Sequence, residues 1–587
     1  MVKVLDQTWN LDVFFEGGSE SEAFHSFIDA LETDISDFPT ELSLGSLPKV
    51  LESYSDLRRR LTQGAAFISC LTAQNMADKK ASQLQNKLQS IGATFDTKNS
   101  ELNQFLSEIP ESEWLAFLSS EAAQGIRFPL EERRHQTKEK LPLDKENLIS
   151  QLSVDGYHAW GKLYDTIVGQ MEITVSEPEE TERKVSVGQA ANLLSSSNRS
   201  TREYVFSQWE SAWSDVSEFC SSALNHLAGF RLGVYKERGW ENVLKEPLEY
   251  NRMSEKTLNS MWSVINEYKP KVLTYLHKKA EILGVEKLSW TDVEAPITKS
   301  DEKVSYDEAK DFVVQHFSSF NPKMGQFAEA ALENRWVEAE DRPGKRPGGF
   351  CTSFPLSHES RIFMTFSGTA SNISTLAHEL GHAYHQHVMN DLPYLSQRYA
   401  MNVAETASTF AEQIVSDAAI RTAESNEQKL ALLEDKLQRA VAFFMNIHAR
   451  FLFETRFYEE RKKGIVSVDH LNTLMEEAQK EAFCGELSSY HPSFWESKLH
   501  FYITGVPFYN FPYTFGYLFS TGIYAQALEE GASFSEKYDA LLRDTGSMTV
   551  EELALKHLGV NLEQREFWAA ACDQVVKDIE LFLELAK

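Results

Sequence analysis

His378-Glu379-Leu380-Gly381-His382 places two imidazoles and a carboxylate within five residues. On a helix, His378 and His382 project from one face about one turn apart, and their rings can converge on a single ion. That spacing suits zinc. Glu379 lies about 100° round such a helix, so it need not ligate and can reach a water at the metal as a general base. Composition alone predicts about 0.06 matches to H-[DE]-x-x-H in the chain. A working site then needs a third ligand and an element to carry it.

RYAMNVAETASTFAEQIVSDAAI supplies that element as a second helix, with Val403, Ala404, Ala407, Phe410, Ala411, Ile414 and Val415 as its apolar side. Its alanines permit close helix packing. Glu405, 23 residues after His382, is the natural third ligand, because the chain between them is long enough to turn back. Glu412, two turns further on nearly the same face, is the reserve. Metzincins need Gly and His three and six residues after the second histidine, where this chain has His385 and Val388. His385 is therefore extra. Met401 and Asn402 cannot close a thermolysin-like site, so the expectation is a different gluzincin.

Residues 490 to 524 carry 13 aromatics in 35 residues, against about four expected from average usage. Gly505, Pro507 and Pro512 should break any helix before residue 513, leaving His500, Tyr502 and Tyr509 on a loop, while Tyr513 and Tyr517 share a helical face. An imidazole and tyrosine hydroxyls are donors suited to a developing oxyanion. The alternative for any one tyrosine is an aromatic core with its hydroxyl on backbone.

These groups need elements to position them. GTASNISTLAHELGHAYHQHV reads as a helix capped by Ser371 or Ser374, with Ile373, Leu376, Ala377 and Leu380 buried. Just before it, residues 336 to 367 hold the clearest non-helical segment: glycines and prolines, then the β-rich runs FCTSFPL and RIFMTF. A small sheet is expected there. Gly349 beside it is a candidate substrate-binding position, where a peptide adding to a strand edge would bring its backbone close. Residues 20 to 125 read as successive amphipathic helices, with Leu51, Tyr54, Leu57, Leu61 and Ala65 in one stripe. GQMEITVSEPEETERKVSVGQ mixes a short strand with an acidic turn, and Ser195 to Ser197 offer caps for the helix that follows. This places a domain boundary near residue 190, giving a helical region over 1–190 and a catalytic domain over 191–587.

The 587 residues can bury several cores, and glycine and proline are sparse, which favours long helices. A net charge of -29 argues against a nucleic-acid surface. Five scattered cysteines without CxxC spacing, acids within the first 16 residues and no long apolar run point to a cytoplasmic protein without a membrane span.

LAHELGHAYH, NVAETASTFAE and HFYITGVPFYNFPYTFGYLFS together resemble the successive signatures of the thimet oligopeptidase and oligoendopeptidase F family of zinc peptidases. The likeness is closest to oligoendopeptidase F and strongest over residues 190 to 580. It implies a mainly α, clam-like gluzincin with a small sheet beside the motif helix and a deep channel that admits short peptides. It also implies one zinc ion on His378, His382 and Glu405, with Glu379 as base. His500 and the tyrosines after it, Tyr509 and Tyr517 first, would bind the substrate carbonyl, with Tyr502 and Tyr513 as further substrate-binding positions. The expected activity is hydrolysis of internal bonds in oligopeptides. Rivals are a dipeptidyl carboxypeptidase of angiotensin-converting-enzyme type and a non-catalytic peptide-binding module, the latter disfavoured because structural zinc sites usually close with four protein ligands.

Overall fold

A computed structural model of the chain describes residues 5–176, 182–297 and 303–587. These residues are mostly α-helical, as the scarcity of helix-breaking residues leads one to expect, and Lys79–Glu108 runs for 30 residues without interruption. Two compact units emerge, each assembled from three stretches of chain. One comprises Met1–Leu143, Glu302–Ala418 and Gln526–Gly559; the other comprises Asp144–Asp301, Ala419–Ala525 and Val560–Lys587. The linear division near residue 190 follows a change in sequence texture, whereas the units are discontinuous because helices distant in sequence pack together.

Two small sheets interrupt the helices. In the second unit, β1 (Glu172–Val175) and β2 (Arg183–Ser186) form an antiparallel hairpin; residues 177–181, the acidic turn of the sequence, lie outside the described residues. In the first unit, β3 (Val337–Glu338), β4 (Phe350–Phe354) and β5 (Glu359–Phe363) pair in the order β3-β5-β4. β5 runs parallel to β3 and antiparallel to β4, with Phe350 opposite Phe363 and Phe354 opposite Glu359. The two runs read from sequence supply β4 and β5. The third strand is two residues long, too short to show a period of two.

The N-terminal helices of the first unit pack against this sheet, and Phe354 and Phe363 share one core with Phe24, Leu51 and Phe67. The Phe14 ring stacks on Phe354 with centroids 3.9 Å apart. Along Leu47–Gln74 the expected stripe holds at Leu51, Tyr54 and Leu57, then drifts: Ala65 is exposed and the buried side passes to Gly64, Ala66, Phe67 and Ile68. In the second unit, Trp209 and Trp213 anchor Arg199–Ser214. Its cap is Asn198, not Ser195 to Ser197, because the Asn198 side chain accepts the Ser200 and Thr201 N–H groups.

Candidate active site

The histidine motif lies on the helix Ala370–Met389. Its cap is Thr369 rather than Ser371 or Ser374: the Thr369 hydroxyl accepts the Asn372 N–H, and the Asn372 side-chain oxygen accepts the N–H groups of Thr369 and Ser367. Leu376, Ala377 and Leu380 are buried, Ile373 half-buried. The second motif helix spans Met401–Thr422. The two helices meet at Gly381, where a Cβ would lie 2.6 Å from the Ala407 carbonyl oxygen and 2.7 Å from the Ser408 Cα. Glycine at 381 and alanine at 407 and 411 thus let the backbones approach far enough for side chains of both helices to share one centre.

His378, His382 and Glu405 converge there. Their Nε2 atoms lie 3.2 Å apart, and Glu405 Oε2 is 3.4 Å from His378 Nε2 and 3.5 Å from His382 Nε2. Donors about 2.0–2.1 Å from one tetrahedral ion stand roughly 3.3 Å from each other, so this nitrogen, nitrogen and oxygen set fits a single zinc ion. The three side chains are also held in place. Glu412 Oε1 lies 2.5 Å from His378 Nδ1, His382 bonds the Ala404 backbone, and the Ser408 hydroxyl donates to Glu405 Oε2 at 2.9 Å. Glu412, the reserve ligand in the sequence reading, therefore takes a different place: it orients His378 from behind. His385 is fully buried, bonded to the Thr545 hydroxyl at 2.9 Å and stacked on Tyr399, away from the donor set.

Glu379 is 6% exposed, and among the described residues its Oε2 has no hydrogen-bond partner. Burial, reinforced by Glu405 and Glu412 and opposed by His378, raises its carboxyl to about 7. A carboxyl near neutrality can both take and return a proton. Burial pulls His378 down, but Glu412, Glu405 and Glu379 outweigh it and hold the imidazole up at about 9, while burial carries His382 down to about 4 despite Glu405. Gly349 adjoins this centre: a Cβ there would stand 3.2 Å from Glu379 Oε1 and 3.2 Å from the Phe363 carbonyl oxygen, so glycine leaves the carboxylate its room.

The aromatic stretch belongs to the second unit. His500 sits in a short 3-10 turn, Leu499–Phe501, and the helix Phe511–Glu530 starts slightly earlier than expected, since Pro512 fits its first turn. His500, Tyr509 and Tyr513 form a half-buried cluster with ring centroids 5.3, 6.0 and 5.6 Å apart. One expectation needs correction. Tyr502 is 1% exposed, stacks on Tyr164 at 3.7 Å and donates its hydroxyl to the Trp495 carbonyl, so it is a core residue. Tyr517 is also buried, packed against Phe443 and Phe444. Of residues 511–525, Tyr513 alone is not buried. The helix is apolar nearly all round, and Tyr517, at 7% exposed, is as enclosed as Glu379.

A helical body with a small sheet and a half-buried His-His-Glu centre defines a metallopeptidase architecture, and comparison with known proteins agrees. The family model for peptidase family M3 matches residues 192–574, and that for oligopeptidase F matches residues 106–173. The chain belongs to peptidase family M3 and is a metallopeptidase acting on peptides. It is 24% identical over 549 residues to oligopeptidase PepF of Bacillus subtilis, covering 91% of this chain and 78% of that one. An oligoendopeptidase F homolog of Lactococcus lactis is 23% identical over 593 residues, covering 96% and 94%. The fold matches oligoendopeptidase-F from Enterococcus faecium, with a TM-score of 0.68 and 16% identity over 97% and 99% of the two chains. It also matches PZ peptidase A in complex with an inhibitor, at a TM-score of 0.74 and 16% identity over 95% and 97%.

Proposed function

We propose that the protein is a zinc-dependent endopeptidase that hydrolyses internal bonds of short oligopeptides. The observation that carries this reading is the trio of half-buried donors within 3.5 Å of one another, with the buried, unpartnered Glu379 carboxylate next to it in sequence. His378, His382 and Glu405 would hold one zinc ion, which when bound supplies a Lewis acid that polarises the scissile carbonyl and acidifies water. Glu379 Oε2 accepts a proton from the attacking water and later delivers it to the departing amine nitrogen. Glu412 and the Ala404 carbonyl keep the two imidazoles turned toward the ion. His500 with Tyr509 or Tyr517 donates to the carbonyl oxygen as it gains charge, and Tyr513 beside His500 and Tyr509 contacts the substrate. No covalent intermediate is needed. All five cysteines are unpaired, which supports action in the cytoplasm. No described helix is long and apolar enough to cross a membrane.

The test is a mass-spectrometric time course on peptides of graded length, with and without chelator. Internal cleavage that stops with chelator and resumes with zinc is expected. Release of C-terminal dipeptides alone would replace this reading with the carboxypeptidase rival.

A further inference from the structure

In the first unit, β4 is an edge strand of its sheet, and Cys351, Thr352 and Ser353 on it line a cavity of about 340 Å³. Arg58 and Thr62 of the helix Leu47–Gln74 line the same cavity, with Tyr394 and Arg398 from the segment between the two motif helices. All of them belong to the unit that holds the His-His-Glu centre. Two arginines therefore line one space, and among the described residues no Asp or Glu lines it. The chain as a whole has the opposite balance, with 87 acidic residues against 58 basic ones.

The two charges act at one point. Burial raises the Tyr394 hydroxyl, and the Thr62 hydroxyl 2.8 Å away, Arg58 and Arg398 all pull it back. Arg58 and Arg398 also act as like charges on Arg133, which burial already lowers. Three guanidinium groups thus share one neighbourhood, where a carboxylate would relieve the repulsion. Arg58 reaches Asp96 only at 3.8 Å, and that side chain is 69% exposed, so the pair claims little of the arginine's charge. Arg58 is half-buried and Arg398 exposed, which leaves both accessible to a ligand.

The cavity lies along the strand from the catalytic centre. Gly349 stands beside Glu379 just before β4, and Cys351 to Ser353 follow two to four residues later. Tyr399, also in the cavity wall, stacks on His385, three residues past His382. At about 3.3 Å per residue, two to four residues span roughly 7 to 13 Å in a strand or in a peptide extended beside it. We propose that Arg58 and Arg398 form a subsite for an acidic side chain of the peptide substrate, two to four residues from the bond cleaved. This rests on the oligopeptidase reading and deepens it, giving the substrate a preferred residue at a defined distance. Guanidinium groups suit that role, because their planar fork matches a carboxylate.

The experiment moves one Glu, or Gln in its place, through each position of an uncharged peptide blocked at both ends, so that only the side chain supplies the charge. The ratio of kcat/KM for Glu over Gln should rise to about three- to tenfold at one position two to four residues from the cleaved bond. It should fall toward one in R58Q, in R398Q and as salt is raised. Because the ratio is internal to each protein, a smaller folded fraction does not change it, and R398Q, at an exposed position, serves if R58Q does not fold. A ratio near one at every position would overturn the proposal, and so would a raised ratio that persists in both variants. Binding of the same peptides to E379Q, read by fluorescence anisotropy, gives the ratio without turnover. Peptides bound there but not cleaved by the wild type strike the oligopeptidase reading, while equal binding of the Glu and Gln peptides strikes this one.

Discussion

In the first unit, His378, Glu379 and His382 stand on one helix and Glu405 and Glu412 on another. In the second, His500, Tyr509 and Tyr513 come from a 3-10 turn, a loop and the start of a helix. A helix converts sequence spacing into spatial spacing with a fixed rule, so the first group can be placed from its numbers alone. A loop has no such rule. The contrast teaches that a constellation on paired helices depends on how closely the helices approach, whereas one on a loop depends on which side chains the surrounding core has already claimed.

The largest test breaks the first group at its packing point. Gly381→Val puts a side chain where the Ala407 carbonyl and Ser408 backbone already stand, and should destabilise by about 3 kcal/mol or more with loss of bound metal. Unchanged thermal midpoint and full zinc content would show that helix approach does not set the site. The next separates half-buried from fully buried tyrosines in the second group. Tyr509→Phe and Tyr513→Phe should each lower kcat by about 10² to 10³. Tyr502→Phe, by contrast, removes a hydroxyl bonded to the Trp495 carbonyl, and should leave kcat nearly intact while costing about 1 kcal/mol of stability. The reverse pattern would return Tyr502 to the list of substrate contacts.

A smaller effect probes support rather than ligation. Glu412→Gln should weaken zinc binding by about 10- to 100-fold, read by competition with a chromophoric chelator; complete loss of metal would instead make Glu412 a ligand. The smallest concerns a buried ionisable group with no motif around it. His448 is 3% exposed with Nδ1 2.7 Å from Lys269 Nζ, and burial together with Lys269 and Arg456 holds it down at about 2. Its unfolded value is about 6.5, so between those values the unfolded chain takes up a proton that the native state refuses. Stability that is full above about pH 6.5 should fall by about 2 kcal/mol at pH 5. Urea midpoints at pH 7.5, 6 and 5 should show the fall in the wild type and a flatter profile in His448→Gln; parallel profiles would exclude His448 as the cause.

Much of this was legible in the amino-acid order, for reasons specific to each element. The i, i+4 histidines and the alanine-rich partner helix were readable because both motif helices follow a regular period. The Thr369 cap was not, since several hydroxyl residues precede the helix and the one that caps is chosen where the chain leaves the sheet. Glu412 was visible as a carboxylate on the right face, yet whether it ligates or orients depends on one helix's displacement against the other. Tyr513 and Tyr517 could not be told apart because the helix bearing them is buried nearly all round, and no polar face marks the side that matters.

The central claim is that Glu379 moves the proton while His378, His382 and Glu405 hold the ion. Glu379→Gln, assayed for zinc by mass spectrometry and for cleavage of an internally quenched peptide, tests it most directly. One zinc per chain, as in the wild type, is expected, with cleavage lowered by about 10² to 10⁴. Zinc retained together with a wild-type rate would contradict it.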